Sequence, residues 1–469
     1  MAENASLADQ INNALTPVSD FVSSIIFYQE PFFGFPLVVL WLMAAAVILT
    51  FANRFVNLRG FRHGLDLVWN PKKHLDSPGA ISHFQALAAA LSGTIGLGNI
   101  ASVPVAVTLG GPGAIFWMVV AGFFGMSAKF AECALAVKYR KTLPDGRILG
   151  GPMYYIEEVL TRRGMKTAGK AAAIFFAIMA MGASVSVFQV NQSHAQFANV
   201  TGISAPVAFG VIMSTGVAII VLGGIKRIGA AMRFIVPSMG LLYVGAALII
   251  LVMNIPAIPA AIQTIFESAF GLEAAGGGMI GAIINGMKRA TYSSEAGVGS
   301  AAIAHAQVRT REPMTEGYVA LLEPFIDTVV VCSITGLVVI VTGAYLPFVG
   351  TSDHGIEITS AAFESAFSWF PYVLLVASML FAFSTLVGWA FYGAQAAAYL
   401  FGPSKTTDVV FKLTLCFLLS TGAAVSLSAI INFIDSMLFG MAIPNIIALY
   451  LLLPELRRDV KAYEAKNGL

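Results

Sequence analysis

The chain has 469 residues, 57% hydrophobic and 11% charged, with a net charge of +2 and a mean hydropathy of +0.80. A soluble domain carries about 25% charged residues, and so small a net charge offers no basic surface for nucleic acid. Apolar blocks of twenty or more residues point to an all-α polytopic membrane protein, without the alternating ten-residue segments of a transmembrane barrel.

Residues 1–30 hold neither Lys nor Arg and no apolar core. No signal peptide is expected there, and the first span is expected to act as the insertion signal. Eleven apolar blocks follow, at about 33–53, 83–109, 112–137, 169–198, 204–223, 230–253, 277–305, 317–343, 371–400, 409–426 and 428–454. A helix rises 1.5 Å per residue, so ~20 residues cross a ~30 Å hydrocarbon core. The connections alternate in charge. Arg54, Arg59, Arg62, Lys72 and Lys73 fill the first, and eight bases from Lys138 to Lys170 fill the third. Lys226, Arg227 and Arg233, then Arg309 and Arg311, then Lys405 and Lys412, then the tail from Arg457 to Lys466 follow at every second turn. The intervening connections carry no base; two of them, 254–276 and 344–370, carry Glu267, Glu273, Asp353, Glu357 and Glu364. The positive-inside rule makes the basic side the cytoplasm, with the N-terminus outside and the C-terminus inside. The three exceptions, Lys129, Lys288 and Arg289, lie within blocks.

Two blocks contain residues unsuited to a membrane helix: Leu91-Ser-Gly-Thr-Ile-Gly-Leu-Gly-Asn99 and Ser293-Ser-Glu-Ala-Gly-Val-Gly-Ser300. Breaking a helix frees about four N–H and four C=O groups, each costing several kcal/mol if it faces lipid unpaired. Such backbone must line a protein-walled cavity. There the half-helix N-terminus offers N–H groups to an anion, and the freed carbonyls offer oxygens to a small cation. Small residues four apart also mark close helix packing, an equally good reading for either stretch alone. The pair decides. With the first block set aside, the stretches occupy the first and sixth of ten spans, in five-span halves of opposite topology. Glycine-interrupted spans at matching positions of inverted halves point to a transporter binding site. Gly96-Leu-Gly-Asn-Ile-Ala101 also fits a dinucleotide-binding pattern, but no strand–helix–strand unit surrounds it and no acid follows at about twenty residues.

In the fourth block, Gln189 sits deeper than Gln192 and Gln196 and is expected to face the pathway; the other two are expected to be solvated or packed. In the ninth, Thr385, Trp389 and Tyr392 share one helical face, with Ser384 beside them. The hydroxyls suit a hard cation such as sodium, although each alone commonly bonds back to its own helix. Ionisable residues within spans are functional candidates. Glu295 is expected to act structurally, as partner of a freed helix N-terminus or of Lys288 or Arg289, because a bare anion would repel a substrate carboxylate. Lys129 and Glu132 are expected to pair with each other; Asp327 and Asp435 have no assigned role. Cys133, Cys332 and Cys416 read as buried small residues. His83, His194, His305 and His354 show no metal spacing and read as interfacial.

Ser92-Gly-Thr-Ile-Gly-Leu-Gly-Asn-Ile100, followed by Gly110-Gly-Pro-Gly-Ala-Ile-Phe-Trp-Met118, resembles the alanine or glycine:cation symporter (sodium/alanine symporter) family. Gly150-Gly-Pro-Met-Tyr-Tyr-Ile156, Ser293-Ser-Glu-Ala-Gly-Val-Gly-Ser-Ala301 with Ala304-His305-Ala306, and Phe383-Ser-Thr-Leu-Val-Gly-Trp389 are similar to further blocks of that family. Ser294 departs from the pattern, which more often has Asn there. The resemblance implies a leucine-transporter-like 5+5 inverted repeat with one additional N-terminal helix. An extracytoplasmic segment would cover 1–32, the extra span and a cytoplasmic linker 33–82, the repeats 83–253 and 277–454, and a cytoplasmic tail 455–469. It implies alternating-access uptake of alanine or glycine with sodium in a bacterial plasma (inner) membrane, with no enzyme activity, no cofactor beyond the coupling ion and no obligate protein partner. By motif, Thr94, Gly96 and Gly98 would meet the substrate carboxylate, Gln189 with Tyr292 and Ser293 the amino group, and Trp389 the side chain. Backbone oxygens of Ser92 and Ile95, the Phe381 carbonyl and the Ser384 and Thr385 hydroxyls would hold sodium. A same-fold carrier of betaine or nucleobases is the nearest alternative. A channel would need a continuous polar pore, and an intramembrane hydrolase would need a motif that Ser293 and Glu295 lack.

Overall fold

A computed structural model of the chain describes residues 17, 19–31, 34–70, 77–271, 278–352, 354–422 and 427–469. Lys72, Lys73, Glu273 and Asp353 of the loop charges, and the end of the tenth block at 423–426, lie outside them. The described chain is helical apart from one short ladder, Lys141–Thr142 against Ile148–Leu149.

Helix α1 (Leu37–Ala52) precedes the first broken span. That span begins with α2 (His83–Thr94), started by a capping box in which Ser82 and Gln85 satisfy each other's backbone N–H groups. The helix stops where the glycines begin. A π-helical turn covers Gly98–Ser102, α3 (Val103–Gly110) follows, and the span is bent by 47°. Beyond it come α4 (Ala114–Lys138), α5 (Val187–Thr201) and α6 (Gly224–Met253). The second broken span consists of α7 (Gly278–Ser294) and α8 (Ser300–His305). Between them Glu295, Gly297 and Gly299 take φ of 53°, 83° and 94°, the left-handed region that glycine enters freely. Then come α9 (Pro313–Ala320), a π-helical stretch at Phe325–Cys332, α10 (Ser333–Val341), α11 (Phe370–Phe401) and α12 (Leu427–Asn467).

Among the described residues six helices are long and apolar enough to cross a membrane, seven with the bent pair; α1 and Pro206–Val221 are shorter apolar helices. The expected blocks need four amendments. The fourth is not one smooth helix: Lys166–Ser184 ends at Val185, and α5 starts after Ser186. The expected loop at 254–276 carries a helix, Ile258–Phe270, whose Ala269 carbonyl accepts from Trp117 Nε1 at 3.1 Å. The expected loop at 344–370 carries Ile356–Glu364. The final helix runs through the expected tail to Asn467.

The basic connections gather at one end of the bundle and bond to one another. Arg140 donates to the carbonyls of Pro78, Ala306, Val308 and Thr310; Arg147 to Pro403 O; Arg163 to Leu451 O. Arg59 pairs with Glu464 at 2.9 Å. At this end the segment before α2 and the segment after α8 are bonded to each other, Ala80 N–H to Gln307 O and Arg309 N–H to Ile81 O.

Within the bundle, charges are paired differently from their sequence spacing. Lys129 bonds to Glu323 at 3.1 Å, both fully buried, rather than to Glu132. Glu132 instead accepts from Asn445 at 3.0 Å. Lys288 and Arg289 both approach Asp435, at 3.4 and 3.7 Å, and not Glu295. His83 and His305 are not interfacial: both are buried and share the Glu316 carboxylate. One buried carboxylate bonds the Nδ1 atoms of both imidazoles, and 233 residues separate His83 from Glu316, so local spacing cannot reveal it. His194, also buried, packs on Phe209, and His354 lies against Phe348. Gln192 and Gln196 are buried rather than solvated. Cys133 and Cys332 are buried and Cys416 half-buried, all free thiols.

Removing one member of a buried ion pair strands the other's charge, at a cost of about 3–5 kcal/mol. Lys129→Met should therefore lower the thermal midpoint of the detergent-solubilised protein sharply, while Lys129→Arg should lower it much less. Equal midpoints for wild type and Lys129→Met would show that the pair is not needed for stability.

Candidate functional site

The two breaks meet. Asn99, on the π-helical turn, donates to Ser293 Oγ at 3.0 Å and to Asp327 Oδ1 at 2.6 Å; Ser293 in turn donates to Asp327 Oδ2 at 2.7 Å. The π-helical stretch at Phe325–Cys332 thus delivers one carboxylate that ties both broken spans together. A Cβ on Gly98 would lie 3.3 Å from the Tyr292 ring, so the first break approaches the end of α7 at van der Waals distance.

The freed backbone groups are met by side chains. Gly96 N–H donates to Asn99 Oδ1 at 3.0 Å, and Leu97 N–H to Gln189 Oε1 at 3.0 Å. Ile100 O accepts at 2.6 Å from Thr359 Oγ1, which lies on the helix inside the expected 344–370 loop. Gly98 O accepts from Ser102 at 2.5 Å, and Gly297 O from Asn445 Nδ2 at 2.9 Å. Ile95 O is met by Thr385 Oγ1 at 3.5 Å, the longest of these contacts.

Between the breaks lies a small chamber. Gly93, Thr94 and Gly98 form one wall, and Tyr292 and Glu295 a second. Ser186 and Gln189 come from the interrupted fourth span, Thr385 and Trp389 from α11, and Ile434 and Leu438 from α12. Tyr292 stands edge-on to Phe188 at 6.0 Å, and Phe188 lines a separate small pocket with Gln192 and Arg289. This aromatic pair divides the chamber from that pocket.

Thr94, Gly98, Gln189, Tyr292 and Trp389 of the expected substrate residues therefore border the chamber. Gly96 sits beside it, its N–H occupied by Asn99. Ser293 is turned toward Asn99 and Asp327. Gln189 differs from expectation in polarity. Leu97 N–H occupies its Oε1, which fixes the amide orientation and leaves Nε2, a donor, for the chamber. That donor can serve a carboxylate, while Oε1 keeps a second lone pair.

Of the expected sodium residues, Ile95 and Thr385 meet across α2 and α11. Ser92 donates to Ala89 O at 2.7 Å and packs where a Cβ on Gly388 would come within 2.8 Å of its Oγ. Ser384 donates back to Phe381 O at 2.9 Å and approaches Met239 Sδ at 3.3 Å, the self-bonding that hydroxyls in helices commonly show. Ser294 likewise bonds to Ala290 O at 2.9 Å.

Sequence reasoning missed Ser186, Ile434 and Leu438. Ser186 follows Ser184 and Val185, and no glycine stands at the interruption itself. Ile434 and Leu438 are one helical turn apart, on either side of Asp435 and Ser436, and as aliphatic side chains carry no local signal that separates them from core. Glu295 was assigned a structural role, yet it borders the chamber.

Two interrupted membrane helices that face each other around a buried polar chamber define a secondary transporter of the leucine-transporter type. The fold agrees with the crystal structure of MhsT in complex with L-phenylalanine, at TM-score 0.57 and 15% identity, over 82% of this chain and 99% of that one. Residues 19–468 match the model of the sodium:alanine symporter family. The sodium/alanine symporter AgcS of Methanococcus maripaludis is 39% identical over 96% of this chain and all of its own length. The probable sodium/glutamine symporter GlnT of Bacillus subtilis is 30% identical over 89% of this chain and 85% of its own. The chain belongs to the sodium:alanine symporter family, a family of integral membrane transporters and not of enzymes.

Gly388 allows α11 to lie against the first break, since a Cβ there would come 3.0 Å from Gly93 N. Gly388→Ala should leave a folded protein that fails to transport, measured as substrate uptake in proteoliposomes at matched incorporation. Uptake at the wild-type rate would show that this close approach is dispensable.

Proposed function

We propose that the protein couples inward sodium movement to uptake of a small neutral amino acid, alanine or glycine, by alternating access. The observation that carries this reading is the chamber itself: two breaks joined through Asn99, Ser293 and Asp327, walled by bulky side chains. Trp389, Tyr292, Ile434 and Leu438 favour a methyl or hydrogen side chain over a long one. The under-served Ile95 carbonyl and the Thr385 hydroxyl form the core of the sodium site, with Ser92, Phe381 and Ser384 joining when Ser384 releases the Phe381 carbonyl. Sodium would tie α2 to α11, and substrate would then bridge the two broken spans before one bundle rocks against the other. In this reading eleven spans form two inverted five-span repeats plus α1. The N-terminus is outside, and the basic end faces the cytoplasm of a bacterial plasma membrane.

The driving force is sufficient. One charge through ~100 mV supplies about 2.3 kcal/mol, and a tenfold sodium gradient about 1.4 kcal/mol. Together they sustain roughly 500-fold accumulation of substrate at one sodium per turnover. Kinship to a probable glutamine symporter makes a longer amide substrate the second reading.

Counterflow in liposomes tests both, using labelled alanine against unlabelled alanine, glycine, leucine, glutamine and betaine, with and without sodium. Sodium-dependent exchange by alanine and glycine, with little by leucine or glutamine, is expected. Exchange driven best by glutamine or betaine would contradict the substrate reading, and linear, non-saturating flux would contradict the carrier reading. Thr385→Ala should raise the sodium half-saturation about tenfold, equivalent to about 1.4 kcal/mol, without lowering expression. An unchanged half-saturation would remove α11 from the ion site.

A further inference from the structure

Glu295 is the carboxylate among the described residues that border the chamber. It is buried and sits at φ 53°, a left-handed conformation that non-glycine residues seldom hold without a functional reason. The backbone keeps it there between α7 and the two glycines that follow, with Val298 N–H donating to its carbonyl at 3.2 Å. Both carboxylate oxygens are pinned. Ser300, the first residue of α8, donates to Oε2, and Trp389 Nε1 donates to Oε1 at 3.2 Å. These two donors come from different elements and aim the group, but they are neutral. The basic side chains within the spans are committed elsewhere: Lys129 acts on Glu295 but pairs with Glu323, and Lys288 and Arg289 approach Asp435. A carboxylate offers about four acceptor sites, and a buried anion without a bonded cation is costly. The chamber therefore holds an aimed acceptor with spare capacity and no bonded counter-charge.

A donor stands elsewhere on the same chamber. Gln189 has its Oε1 engaged by Leu97 N–H, so its Nε2 is the free end, and no described residue accepts from it. We propose that Glu295 receives the α-ammonium of the substrate while Gln189 Nε2 and the first break receive its carboxylate. The cargo then carries in the counter-charge that the protein withholds. Glu295 becomes the specificity-determining residue for a free amino group, and it reverses the polarity that motif carry-over gave Gln189. Trp389, on this view, is a positioning residue for Glu295 as well as a wall. The proposal rests on the amino-acid symport reading above.

The test compares alanine with lactate, which keeps the carboxylate and the methyl group but replaces the ammonium by a hydroxyl. Wild-type protein, Glu295→Gln and Glu295→Asp are reconstituted, and inhibition of sodium-driven labelled alanine uptake is measured. Glu295→Gln keeps the side chain's size and its acceptor toward Trp389. It should weaken apparent alanine affinity about tenfold or more, about 1.4 kcal/mol, and shrink the alanine-over-lactate preference by a similar factor. Glu295→Asp should retain that preference. A Glu295→Gln protein with unchanged preference overturns the proposal. A second readout uses the unaltered protein, in case the variant does not fold: modification of Glu295 by a hydrophobic carbodiimide, located by peptide mass spectrometry. Saturating alanine should slow it about fivefold or more, about 1 kcal/mol of protection, and lactate should not; equal modification with and without alanine overturns the proposal. Failure of wild-type protein to exchange alanine at all would instead defeat the transport reading.

Discussion

Backbone polarity inside a membrane governs this molecule. Lipid offers no hydrogen bonds, so each N–H or C=O released by a helix break must find a partner within the protein. At the first break the partners are Asn99 for Gly96, Gln189 for Leu97, Thr359 for Ile100 and Ser102 for Gly98. At the second, Asn445 holds Gly297 O while also bonding Glu132, and Tyr155 donates to Asn445 Oδ1. Polar side chains that look scattered along the sequence are thus caps for two interruptions. The two breaks are joined directly where Asn99 and Ser293 share Asp327.

The same economy leaves the chamber polar in a directed way. Groups that cap backbone on one face present their other face inward: Gln189 turns a donor to the space, and Glu295, held by Ser300 and Trp389, turns an acceptor. The Ile95 carbonyl is the least well served of the capped groups and lies against a hydroxyl of α11. A cation there would complete an otherwise weak contact and couple the first break to the helix that carries Trp389. Below the chamber, toward the basic loops, Glu316 clamps His83 of α2 to His305 of α8. The halves of both broken spans on that side are therefore held together by one buried carboxylate, so any opening there must first part them or carry them as a unit.

Much of this was legible in the amino-acid sequence. Helix breakers at Gly96, Gly98, Gly297 and Gly299 are local features with a local cause, and charge alternation between loops is a one-dimensional signal. Gln189 and Trp389 stood out because polar or aromatic residues are conspicuous in apolar runs, whereas the roles of Thr94, Gly98 and Tyr292 followed from the motif resemblance. What stayed hidden depends on contacts between distant segments. The interruption at Val185–Ser186 carries no glycine, and the helix at Ile356–Glu364 brings Thr359 to Ile100 O, 259 residues away. The Lys129–Glu323 pair and the shared Glu316 join residues from different helices, and a pairing rule based on spacing chose Glu132 instead. For Glu295 one expected partner holds and the other does not: it meets Ser300 at the start of α8, while Lys288 and Arg289 go to Asp435 on a distant helix.

The central claim is that the two interruptions enclose one chamber that holds the cargo between them. Its most direct test is an experimental density map of the protein saturated with alanine and sodium, at a resolution that distinguishes a bound amino acid from water. The account predicts density for alanine among Thr94, Gln189, Tyr292, Glu295 and Trp389, with an ion at Ile95 O and the Thr385 hydroxyl. Density for alanine in the neighbouring pocket by Phe188 and Arg289, with the chamber filled only by water, would contradict it.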